Sequence, residues 1–418
     1  MDAKKTIEDI AAKAREAAGV LAMSNGAKRN AALLACAAAI RNAKATLQTE
    51  NAKDLARSDE LGLSEAMVDR LRLTDTRIES IAVALEQIAA QTDPIGEIIS
   101  ESNRPNGLRI EKRRVPIGVV GIIFESRPNV TADAAGLCLK SGNACILRGG
   151  KEAIHSNLAI AAALQSGLES AGLPASCVTV LESTDRALVP AMATAEGLID
   201  LIIPRGGTSL IRAVTEAATI PVIKHYSGNC HVYIHSSANA EMAAEIILNA
   251  KTQRPGVCNA AETLLIDHAI AKTLLPQLAK KLIAAGVELR GCKKSCAIVP
   301  EMKPATDDDW EQEYLDLILA VKVVDDLDAA AAHINKYGSK HTDAIVTDDV
   351  NAAARFTDAV DTASVMINAS TRFSDGGEYG LGAEIGISTD KLHARGPMGA
   401  QDLTTYKWVV TGKGHVRN

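Results

Sequence analysis

The residue best placed for covalent chemistry is Cys258, in the stretch Gln253-Arg254-Pro255-Gly256-Val257-Cys258-Asn259-Ala260-Ala261-Glu262-Thr263. Met242, Ala243, Ile246, Ile247 and Ala250 recur at helical spacing ahead of it, and Pro255-Gly256 ends that helix. Thr263-Leu264-Leu265-Ile266 then reads as an apolar strand. A cysteine displayed on a turn between two rigid elements suits a thiol nucleophile. It also suits a small buried hydrophobe, and with eight cysteines in the chain the stretch alone leaves both readings open.

Two glycine turns have the character of anion sites. Ile146-Leu147-Arg148-Gly149-Gly150-Lys151 ends one predicted strand, and Ile203-Pro204-Arg205-Gly206-Gly207-Thr208-Ser209 ends another and opens a helix. Backbone amides at such a helix start can hold a phosphate. Glycine also serves βα turns for conformational reasons alone, and no G-x-G-x-x-G is present. No metal site is expected. Cys292 and Cys296 form a loose pair without histidine partners, and the cysteines otherwise follow no zinc spacing, which points to reduced thiols in the cytoplasm.

The elements that must position these residues alternate. Residues up to about 90 read as amphipathic helices, closed by Thr92-Asp93-Pro94. Residues 96–102 and 108–113 form a hairpin around Asn103-Arg104-Pro105-Asn106-Gly107 whose charged faces suit pairing with something outside the core. Apolar strands are expected at 119–124, 144–147, 177–181, 198–203 and 222–225, with helices between them at 132–140, 155–171, 187–195 and 209–218. That is a doubly wound α/β unit, which binds ligands at the C-terminal ends of its strands. After Cys258 a second α/β unit follows, with helices at 271–285 and 329–337, strands at 344–347 and 365–368, and a glycine-rich loop at 369–386. A last strand is expected around 404–411.

Composition narrows the function. A chain of 418 residues has room for two or three domains, and 23% charged residues describe a soluble globular protein. A net charge of −6 argues against general nucleic-acid binding, and no run is long and apolar enough to span a bilayer. The N-terminus leads into a charged amphipathic helix and not a signal-peptide core.

Five blocks stand in an order that resembles the aldehyde dehydrogenase superfamily over nearly the whole chain. They are Val115-Pro116-Ile117-Gly118-Val119-Val120-Gly121-Ile122-Ile123-Phe124-Glu125-Ser126-Arg127-Pro128-Asn129, Pro204-Arg205-Gly206-Gly207, the Cys258 stretch, Glu313-Tyr314-Leu315-Asp316-Leu317-Ile318 and Asn368-Ala369-Ser370-Thr371-Arg372-Phe373-Ser374-Asp375-Gly376. Within that superfamily the match is to the branch that reduces L-glutamyl 5-phosphate in proline biosynthesis. The resemblance implies an α/β fold with a doubly wound cofactor domain (1–94 and 115–225), a thiol-bearing catalytic domain (226–400) and an oligomerisation flap (95–114 with 401–418). The hairpin and the last strand are expected to pair across a subunit interface.

The resemblance also assigns roles. Cys258 becomes the nucleophile, while Cys230, in an alternating apolar run, is read as packed. Asn129 and the Cys258 amide are candidate oxyanion donors. Oxidising relatives carry a general-base glutamate where this chain has His225-Tyr226-Ser227-Gly228-Asn229, and a lysine and a glutamate where Arg148 and Lys151 stand. Two cations there favour the 2′-phosphate of NADPH. Gly206, Gly207 and Glu313 are further cofactor residues, and Arg127, Arg254, Arg372 and Arg395 are candidates for the anionic groups of the substrate. A homo-oligomer is expected, and glutamate 5-kinase, the source of the substrate, is a partner to test. Three rivals are an oxidising aldehyde dehydrogenase, a cysteine hydrolase pairing the thiol with His225, His231 or His341, and a non-catalytic protein that shares the fold.

Overall fold

The computed structural model describes residues 2–125 and 127–417; Ser126 of the quoted block, Met1 and Asn418 lie outside the described residues. The N-terminal helices form because apolar residues recur on one face and polar caps start them. Asp2 caps Ala3–Met23, Asn25 caps Gly26–Asn42 and Thr74 caps Asp75–Ala90. Their buried faces, including Leu21, Leu33, Ile40 and Leu85, join one core with a parallel sheet in the spatial order Val178–Val180, Ala144–Arg148, Val119–Phe124, Leu201–Arg205. Every residue of Val119–Phe124 and Ala144–Arg148 is buried, as strands covered on both faces require.

The second sheet has seven parallel strands in the order Lys303–Pro304, Glu288–Gly291, Ile318–Val324, Ala261–Asp267, Cys230–Ile234, Thr342–Val346, Ser364–Ile367. Helices Ala240–Thr252, His268–Ala284, Leu327–Tyr337 and Val350–Ala359 are among those that connect them. Ile385, Ala394, Met398, Ala400 and Leu403 return to the first core, although most of them fall in the range that the sequence assigns to the catalytic unit. Among the described residues no helix is long and apolar enough to cross a membrane.

Two expectations need correction. Residues 222–225 do not form a strand, for only Val222 bridges to Ile202. The Ile202 N–H donates to the Pro221 carbonyl at 2.9 Å and the Ile223 N–H to the Ile202 carbonyl at 3.0 Å, pairing stops there, and the backbone N–H of Lys224 donates to the Asp390 carboxylate at 2.9 Å. The chain there turns toward the thiol instead of extending the sheet. The second correction concerns the flap. Thr404–Thr411 pairs antiparallel with Arg109–Pro116 inside the same chain, giving a three-stranded sheet with Ile98–Asn103 on its other side. The edge of the hairpin is thus satisfied by its own chain, and the open edges are those of the two outer strands. Missed by periodicity were Glu288–Gly291, too short to show an alternation, and the helix Val350–Ala359 capped by Asp349.

Candidate active site

Helix Ala240–Thr252 ends at Gln253, the break at Pro255-Gly256 follows, and Cys258 stands half-buried on a turn closed by the Ala260 N–H donating to the Val257 carbonyl at 3.1 Å. Ala261–Asp267 begins immediately after it, at the centre of the seven-stranded sheet. The turn is fixed from several sides. Asn259 Nδ2 donates to the Ser374 carbonyl at 2.8 Å, tying the thiol turn to the glycine-rich loop. Gly228 lies so close that a methyl group in place of its hydrogen would overlap the Cys258 carbonyl oxygen. Cys230 is fully buried, its Sγ donates to that same carbonyl at 3.2 Å, and burial pushes its thiol well up, so Cys230 is packed as read.

A buried ion pair supports this turn. Lys251 Nζ and Glu262 Oε2 lie 2.6 Å apart with both side chains fully buried, and Glu262 Oε1 accepts the Leu315 N–H at 3.2 Å. Leu315 sits at φ 55°, a left-handed conformation that a leucine adopts only when its surroundings hold it. Burial pushes Glu262 up to about 7 and Lys251 down, and each pulls the other back toward its charged form. Removing one partner strands the other in the interior. Lys251→Met is therefore expected to cost about 3 kcal/mol of stability, with Glu262→Gln in the same chain recovering much of it. Urea unfolding checks this, and an unchanged midpoint in the single variant would show that the pair does not matter.

Two imidazoles flank the thiol. The ligating atoms of His225, Cys258 and His341 lie within 4.8 Å of one another, a cluster with the donor types of a metal site. Sequence spacing pointed to no such set, since its members come from three distant segments. His341 is fully buried, its Nδ1 lies 2.9 Å from Thr342 Oγ1, and its Nε2 has no partner among the described residues. Burial pushes it down to about 4, so it is neutral near pH 7 and a weak base. His231, the third histidine considered for a hydrolase, is buried against Asp343 at 3.1 Å. His225 is half-buried on the turning segment and faces the thiol, not a sheet.

The predicted arginines divide. Arg127 and Arg254 line one cavity of about 460 Å³. Desolvation, then Arg205, Arg70 and Arg254, push Arg127 down, while Cys258 pulls the other way. Arg372 is half-buried and pushed down by desolvation and then by Arg254; its Nε donates to Gln253 Oε1 at 2.8 Å. Arg395 is engaged elsewhere, its Nη2 donating to Asp361 at 2.8 Å. Asn129, exposed at the same cavity, donates its Nδ2 to Asp133 at 2.9 Å. No acceptor among the described residues takes the Cys258 N–H, which leaves that amide available to an oxyanion.

The first sheet presents the other predicted group. Arg148 is buried at its strand end, donates Nη2 to the Thr184 carbonyl at 2.9 Å and is pushed down by desolvation. Its buried Nε has no partner among the described residues, a feature that fits an anionic ligand, and Lys151 is exposed nearby on the next turn. Gly206 and Gly207 open helix Thr208–Ala217, where the Gly207 N–H donates to Glu125 Oε2 at 3.1 Å. An acidic group therefore already occupies the amide end that a phosphate would use. Glu313 is half-buried, accepts the Gly228 N–H at 2.8 Å and is pushed up by burial. It lies outside any helix, in the loop before Ile318–Val324.

Comparison with known proteins agrees with this arrangement. Residues 1–308 match the aldehyde dehydrogenase family. The chain is 53% identical over 411 residues to a gamma-glutamyl phosphate reductase of Caldanaerobacter subterraneus, covering 98% of this chain and 99% of the relative. A crystal structure of gamma-glutamyl phosphate reductase from Thermotoga maritima is similar, with a TM-score of 0.96, 47% identity and 98% and 99% of the two chains covered. That from Saccharomyces cerevisiae has a TM-score of 0.54 at 29% identity, with 98% of each chain covered.

Proposed function

From a chain that belongs to the aldehyde dehydrogenase family, a family that uses NAD(P), we propose the NADPH-dependent reduction of L-glutamyl 5-phosphate to L-glutamate 5-semialdehyde and phosphate, a step of cytoplasmic proline biosynthesis. The observation that carries this reading is a half-buried thiol on a fixed turn whose charge acts on Arg127 and Arg372, with Arg254 coupled to both. Cys258 attacks the acyl carbon as thiolate, the C–O bond to phosphate breaks, and a thioester remains on Sγ. The Cys258 amide donates to the oxyanion. Arg127, Arg254 and Arg372 hold the departing phosphate, whose low basicity makes an acid catalyst unnecessary. When bound, NADPH supplies the hydride that reduces the thioester to the aldehyde. His341, pushed down by burial, is a weak base, which disfavours it as the partner of a hydrolase pair. Oxidation of the semialdehyde in the presence of NADP⁺ and phosphate tests the reading; failure of that reaction would overturn it.

Arg148 and Lys151 hold the 2′-phosphate in this reading, and Glu313 the nicotinamide ribose. One charge-assisted contact to phosphate is worth roughly 1.5–3 kcal/mol, or about ten- to a hundredfold in affinity. Arg148→Ala should weaken NADPH binding by that factor and spare NADH. Calorimetric titration of both cofactors checks it, and equal affinities in the parent protein would retire the assignment.

The three-stranded flap is the proposed oligomerisation surface. Its outer strands carry exposed Ile98, Ile99, Tyr406, Trp408 and Val410, and both have open edges. Deleting residues 404–418 should yield a smaller species by light scattering. A monomeric parent, or an unchanged subunit count, would contradict this role.

A further inference from the structure

The cavity that Arg254, four residues before Cys258, shares with Arg127 carries more arginine than the phosphate needs. Besides Arg127 and Arg254, it is lined by Arg70 and Arg72, from the end of the short helix Glu65–Leu71 and the residue after it. Among the described residues no carboxylate lies within 4.0 Å of any of these four guanidinium groups. Arg77, on the same wall, differs, because it is neutralised by Asp69 at 2.9 Å. Unpaired like charges converging on one space repel one another, and after desolvation and Arg205 it is Arg70 and Arg254 that push Arg127 down. An anion entering the cavity relieves that repulsion.

The same wall holds one acid. Asp133 lies half-buried in the first turns of helix Asn129–Lys140 and accepts from Asn129 Nδ2. Burial pushes it up to about 6, so it is mainly a carboxylate at pH 7, and among the described residues only Oδ2 is engaged, by Asn129. Leu73, Ile81 and Ala84 add an apolar lining between these charged groups. A ligand matching this wall has a short methylene chain, a carboxylate and an ammonium group, in addition to the group that reacts at Cys258.

Resting on the reaction proposed above, we infer that this cavity is the recognition site for the α-amino-acid end of the substrate: Arg70 and Arg72 bind the α-carboxylate and Asp133 the α-ammonium. Arg127 and Arg254, on the side of the thiol turn, are left with Arg372 for the acyl phosphate. The cavity then selects by two opposite charges at once, so an aldehyde lacking them gains nothing from it.

Steady-state oxidation with NADP⁺ and phosphate tests this, comparing L-glutamate 5-semialdehyde with butanal in the parent protein, Arg70→Gln, Arg72→Gln and Asp133→Asn. All three side chains reach solvent or the cavity, so the fold should survive. Each variant should lose about ten- to a hundredfold in kcat/KM for the semialdehyde beyond any loss on butanal, mainly through KM, with NADPH affinity unchanged. L-2-aminopentanoate, which has the amino-acid end without the aldehyde, should inhibit the parent competitively and the variants about tenfold or more less well. Equal losses on both aldehydes, or unchanged inhibition by L-2-aminopentanoate, would overturn the assignment while leaving the reaction in place. A parent protein without phosphate-dependent oxidation of the semialdehyde would overturn the reaction itself, and this recognition site with it.

Discussion

Cys258→Ala is expected to lose at least ~10⁴-fold in turnover while keeping its fold and its affinity for NADPH. The side chain is half-buried on a turn, and the turn is held by backbone and neighbouring groups, among them Asn259 and Gly228, and not by the sulfur. Deleting Sγ therefore removes the nucleophile with little loss of packing. Cys230→Ala is the informative control. That thiol is fully buried, donates to the Cys258 carbonyl and is pushed well above its usual range, so its removal should touch stability first and chemistry second. Both variants are compared by single-turnover kinetics and thermal unfolding. Substantial turnover in Cys258→Ala would place the nucleophile elsewhere and end the thioester mechanism.

The thiol was legible in the sequence because its setting is local. A helix, a Pro-Gly break, a turn and a strand follow one another within some twenty-five residues, and each has its own residue signal. The strands of the first sheet were legible for the same reason, being short apolar runs between helical patterns. Contacts made across the fold left no such signal. Residues 222–225 look like a strand by composition, but pairing stops after the Ile223 amide, and the next one goes to Asp390, far along the chain. The last strand was correctly expected to seek the hairpin, but its own chain supplies the partner. His341 reaches the thiol from the loop before Thr342–Val346, and Arg70 and Arg72 reach the cavity from a helix that sequence patterning marked only as amphipathic. No single segment encodes these convergences. Asn259 was missed for a different reason, since its role lies in its bond to the glycine-rich loop and the motif shows only its type.

The central claim is that the acyl group on Cys258 is exchanged with phosphate and not given to water. An enzyme that hydrolyses its thioester needs a base placed to activate water, worth typically 10²–10⁴-fold. Where oxidising relatives carry a glutamate for this, the chain has His225, which the turning segment brings within 4.8 Å of the thiol and of His341. His341, pushed down by burial, is a weak base. The decisive measurement is NADPH formation from L-glutamate 5-semialdehyde and NADP⁺, with phosphate present, omitted, or replaced by arsenate. Omitting phosphate should lower the rate by about 10²–10⁴-fold, and arsenate should restore it because the acyl arsenate falls apart in water. Rapid formation of NADPH and glutamate without either anion would contradict the account and make His225 the base to remove first.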